Sequence, residues 1–120
     1  MDYTKVETEM IHSCKGAATE NWLAWLDFMP PGPRCLHVFG EVVVGNLGID
    51  AVLRRKVPQG FNPAILMLDL SLVQKPGIWP ELVTKKHALY DEVNADDLYS
   101  EVSILCEDDI VADIPVEVVT

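Results

Sequence analysis

Basic side chains are missing from the whole carboxy-terminal part of this chain: no Lys or Arg follows Lys86. Across 120 residues, 9 basic groups stand against 19 acidic ones, a formal charge of −10. Acids and bases balance as far as Lys86, so the excess falls in the last third. A field of this sign repels phosphate backbones, and no basic stripe with interleaved aromatics offsets it, so nucleic acid is excluded as an expected partner. A long apolar run is also missing. The longest, over 64–73, is broken by Asp69 and Ser71 and reaches about half of the ~20 residues that a bilayer span needs, so no membrane association is expected.

Cysteine is scarce. Three residues, Cys14, Cys35 and Cys106, make an odd number at irregular positions, which does not suit a disulfide framework. The first residues lack the basic region, apolar core and small-residue cleavage site of a secretion signal. Together these features give the expectation of a cytoplasmic protein with free thiols. Glycine-rich phosphate loops are absent as well.

What is present is apolar residues in a patterned order. Hydrophobic residues make up 49% of the chain and charged residues 23%, which excludes disorder. The length suits one domain over 1–120, with an N-terminal strand, helix and Pro-rich connector over 1–33 and a β-meander over 34–120. A chain this small has much surface for its volume, so a high apolar content predicts self-association into a homo-oligomer.

Residues 3–12 alternate loosely, as a strand or an arm. Thr19 can cap a short helix over 20–28, with Trp22, Leu23 and Leu26 on one stripe, and Pro30, Pro31 and Pro33 form a stiff connector after it. From Leu36 the period becomes two. Strands are expected at 36–44, 49–57, 64–74, 84–93, 98–107 and 110–118. Gly45 to Gly48 reads as a hairpin, Pro76-Gly77 as a type II turn and Glu107-Asp108-Asp109 as a tight hairpin. Leu66, Leu68, Leu70 and Leu72 are assigned to the core, with Val102, Ile104 and Cys106, and with Ile110, Ala112, Ile114, Val116 and Val118. Tyr99, Glu101, Ser103 and Glu107 are assigned to solvent. Pro115 marks an edge or a bulge. The expected fold is all-β, an antiparallel β-sandwich or flattened barrel of six to seven strands with one short N-terminal helix. The alternative is an α+β fold whose sheet wraps that helix.

Candidate chemistry is sparse. His12-Ser13-Cys14 and Cys35-Leu36-His37 place zinc-ligand types two apart, on one face of a strand. Zinc would require His12, Cys14, Cys35 and His37 to converge; otherwise these are two buried thiols and two surface histidines. The same pairs could activate a thiol nucleophile. Asp69, Ser71 and His87 supply triad residue types without a nucleophile elbow, and a half-exposed strand face also explains the first two. The acids Asp91-Glu92, Asp96-Asp97 and Glu107-Asp108-Asp109 could gather calcium but lack the order of a calcium loop. In the rigid loop before the fourth predicted strand, Ile78, Trp79 and Glu81 form the leading contact surface, because Trp is enriched at binding hot spots. The functional expectation is a non-enzymatic interaction or ligand-binding domain that self-associates and can take a basic protein partner. The alternative is a metal-binding or thiol-dependent protein centred on the His/Cys quartet.

Overall fold

The computed structural model describes residues 10–95 and 98–120. It is all-β, with no helix among the described residues. The strands are β1 (Met10–His12), β2 (Thr19–Asp27), β3 (Cys35–Asn46), β4 (Ile49–Arg55), β5 (Ile65–Gln74), β6 (Glu81–Val93), β7 (Glu101–Cys106) and β8 (Asp109–Val119). They form one mixed sheet, curled into an open half-barrel, in the order β1-β5-β7-β8-β2-β3-β6 with β4 on the other side of β5. The β5/β7 and β2/β8 pairs are parallel, so the antiparallel sandwich is corrected to a mixed sheet, and the six to seven strands become eight.

The expected N-terminal helix is strand β2, which also removes the α+β alternative. Ala24 and Leu26 alternate inward, but the ladder to β3 slips between Glu20 and Leu23, where Asn21 adopts φ 58°. This β-bulge puts Trp22 and Leu23 out of step with a plain period of two, and the result imitates a helical stripe. The ring of Trp22 lies against Gly40, where any Cβ would collide with it, and its Nε1 donates to Thr19 Oγ1 at 3.0 Å. Of residues 3–12, those at 10–12 form β1 and 3–9 fall outside the described residues.

The hairpin expected at Gly45 to Gly48 does not form. β3 pairs with β2 and β6 while β4 pairs with β5, so the chain passes here from one half of the sheet to the other. Gly48 is required for another reason: the indole of Trp79 occupies the space a Cβ would take. At Gly77 the φ of 121° is positive, as the expected turn requires of that residue, and the chain bends at 76–77. β7 and β8 pair through a tight turn at Glu107 (φ 50°) and Asp108 (φ 73°).

Strand β8 joins the two halves. It pairs with β7 as far as Pro115 and with β2 from Val116 onward, so the residue without an N–H stands where β8 changes partner. The core assignments hold for Leu66, Leu68, Leu70, Leu72, Val102, Ile104 and Cys106. On β8 Ile114 is buried and Ala112 and Val116 pack half-buried against the core, whereas Ile110, beyond the register shift of the β7/β8 ladder, and Val118 are 61% and 59% exposed. Ser103 and Tyr99, expected in solvent, are buried. Ser103 Oγ donates to Asp113 Oδ1 at 2.7 Å.

The ends of the curl are held by side chains. Between β4 and β6, Arg55 Nη1 donates to Glu92 Oε1 at 3.0 Å, and Lys86 Nζ lies 3.5 Å from Asp50 Oδ1. Tyr90 and Tyr99 donate to the two oxygens of Glu92, at 2.7 and 3.0 Å, and Arg55 also donates to Tyr99. Burial and the Glu92 contact push Tyr90 up to about 12 and raise Tyr99.

Candidate functional surfaces

Alternation along β3 sends Leu36, Val38 and Val42 inward and Cys35, His37, Phe39 and Glu41 outward. Register then aligns residues across the outer face. Leu23, Phe39 and Leu89 form one row over β2, β3 and β6; Trp25, His37 and Asp91 form the next. Leu23 and Leu89 are 55% and 61% exposed, and Val83 and Val93 extend the apolar surface along β6. Trp25 packs on His37 with ring centroids 5.2 Å apart, and Phe39 on His87 at 5.0 Å. Two His–carboxylate contacts and one ion pair border the row: His37–Asp91 at 2.5 Å, His87–Glu41 at 3.7 Å and Lys85–Glu20 at 3.1 Å. An apolar centre with a polar rim is the anatomy of a protein interface.

Cys35 and His37 do share a face, as their two-residue spacing predicts, with Sγ 4.0 Å from Nδ1. The same Nδ1 contacts Asp91. A carboxylate only accepts, so that nitrogen carries the proton and cannot take one from the thiol. Burial first, then the charges of Asp91 and Asp27, push the Cys35 thiol up. This environment keeps the sulfur protonated, the opposite of what a nucleophile needs.

The expectation of free thiols is corrected at the other two cysteines. Cys14 and Cys106 form a disulfide, with Cα atoms 5.9 Å apart, and the argument from free thiols to a cytoplasmic location lapses with it. Cys14 is therefore tied to β7 and does not meet Cys35, so the quartet is not assembled: Cys35 and His37 lie on β3, and His12 Nε2 contacts Gln74 Oε1 at 3.1 Å. His12 and Cys14 instead line a cleft of about 480 Å³ with Lys56, Asp69, Ser71 and Glu107. The triad types are also apart. Asp69 and Ser71 lie on β5, while His87 is on β6 beside Glu41. Of the acidic groups, Asp108 pairs with Lys56 at 2.7 Å, which lowers its pKa; Asp96 and Asp97 are outside the described residues.

In the contact loop, Ile78 is fully exposed, whereas Trp79 folds over Gly48 and donates from Nε1 to the Lys75 carbonyl at 3.0 Å. Glu81 is exposed at the start of β6, opposite Asn46. The Leu23–Phe39–Leu89 row escaped sequence reasoning, since its members come from three strands whose order no local pattern specifies. Among the described residues, no helix is long and apolar enough to cross a membrane. Comparison with family models, with curated proteins and with solved structures finds no match.

Proposed function

We propose that this protein is a non-catalytic interaction domain that pairs with a second copy of itself through the outer face of β2, β3 and β6. The observation that carries this reading is the row Leu23–Phe39–Leu89, its outer members exposed and its centre half-buried, flanked by Trp25 and the polar contacts at its border. Exposed apolar surface of this kind, rimmed by polar groups, marks contact sites. Charge favours a second copy over other occupants. In a molecule of net charge −10, the centre of this face is apolar, Glu20 is paired with Lys85, and Asp91 and Glu41 contact His37 and His87, so two copies meet less repulsion here than along β8. Ile78 and Glu81, beside the start of β6, would extend the contact at its periphery.

A basic protein partner is a second reading, favoured by Glu107, Asp108, Asp109, Asp113 and Glu117 on or beside β8, beyond the last basic residue. Sedimentation velocity separates the two. The self-association reading predicts a dimer that Leu89→Glu converts to a folded monomer. A wild-type chain that stays monomeric at high concentration would defeat it.

A further inference from the structure

The Cys14–Cys106 disulfide has a carboxylate beside it. One oxygen of Glu107 and the two sulfurs lie within 4.8 Å of one another. Glu107 follows Cys106 directly and occupies the left-handed turn between β7 and β8. Its carboxylate is positioned from the other side of the bond: Ser13 Oγ donates to Oε2 at 2.9 Å, and Lys15 Nζ lies 4.0 Å from Oε1. Two sulfurs and one carboxylate oxygen from two chain segments are therefore gathered at one point.

We propose that Cys14, Cys106 and Glu107 form a zinc site when this disulfide is reduced, so that the staple and the metal are alternative ways of joining the amino-terminal segment to the β7–β8 turn. A dithiol donor supplies two electrons and two protons. The S–S bond breaks, each cysteine gains one proton, and the donor closes to its own disulfide. Zinc then displaces both thiol protons to solvent and takes two thiolates, the Glu107 carboxylate and a water as its fourth ligand, a donor set that suits its tetrahedral preference. With Zn–S distances of about 2.3 Å the sulfurs must separate to roughly 3.8 Å. Cys106 is fixed at the end of β7, but Cys14 lies between β1 and β2, outside any strand, and can supply that movement. The charge also fits: three anionic ligands leave the site one unit negative with zinc bound, and Lys15 stands beside it. His12 is not needed, being held by Gln74.

The test uses the full chain, stripped of metal and kept anaerobic, as the oxidised protein and after reduction by a trialkylphosphine, which becomes its oxide with water as the oxygen source. Equilibrium dialysis against zinc should find none bound to the oxidised chain and one equivalent on the reduced chain. Cobalt(II) in place of zinc should give a sulfur-to-metal charge-transfer band. Glu107→Gln retains the disulfide and should weaken zinc binding at least about tenfold. Equal binding by both redox forms, no binding after reduction, unchanged affinity in Glu107→Gln, or loss of strand circular dichroism on reduction that zinc does not restore would each overturn the proposal.

Discussion

Tyr90 keeps its proton to about 12 in the fold, against 10.0 for an ordinary tyrosine, because burial and the bond to Glu92 favour the neutral phenol. Below pH 10 the folded and unfolded chains hold this proton equally. Between 10 and about 12 the unfolded chain releases it and the folded chain does not, so stability falls as pH rises through that window. Urea midpoints taken from pH 9 to 12 should show the decline, and Tyr90→Phe should reduce it; Tyr99, raised for the same first cause, and Lys56, raised by its bond to Asp108, act in the same direction. A second prediction concerns Gly40, which has no room for a Cβ because the Trp22 ring lies on it. Gly40→Ala should displace that ring and cost about 1–3 kcal/mol in denaturant unfolding, the usual penalty for overpacking. Leu47→Ala, half-exposed in the turn after β3, should cost much less.

Strand β1 holds three residues of β5, and the Cys14–Cys106 bond secures the segment that follows it across a sequence separation of 92. Closing so long a loop removes much entropy from the unfolded chain, so replacing both cysteines by Ser should lower stability by about 4 kcal/mol, read from chemical denaturation. That bond was not legible in the sequence, where an odd cysteine count and a distant pair give no connectivity. Elements with clean alternation were legible: β3 to β8 fall close to their expected positions because a half-buried ribbon repeats every two residues. Element β2 was not, because the Asn21 bulge shifts its phase and leaves Trp22, Leu23 and Leu26 at helical spacing. Pairing was the other hidden level. The short turn at Leu47-Gly48 looked like a hairpin, yet β3 and β4 belong to different neighbours, since the curl of the sheet leaves β3 between β2 and β6. The Cys35–His37 pair could be read from its spacing, whereas the Asp91 that occupies the shared nitrogen comes from β6 and could not.

Over the whole molecule, the curl sorts side chains into an apolar interior and an outer surface of uneven character. One part, on β2, β3 and β6, has an apolar centre bordered by the Lys85–Glu20 ion pair and two His–carboxylate contacts; another, along β8, is acidic and rich in loop carboxylates. The proposed dimer would leave the second part facing solvent, where its charge opposes association through that surface. The most direct measurement is a dilution series of amide spectra on uniformly ¹⁵N-labelled protein. The account predicts concentration-dependent shifts at Leu23, Trp25, Phe39 and Leu89, with Asp108, Asp109 and Asp113 unmoved. Shifts confined to the acidic stretch, or spectra independent of concentration, would contradict it.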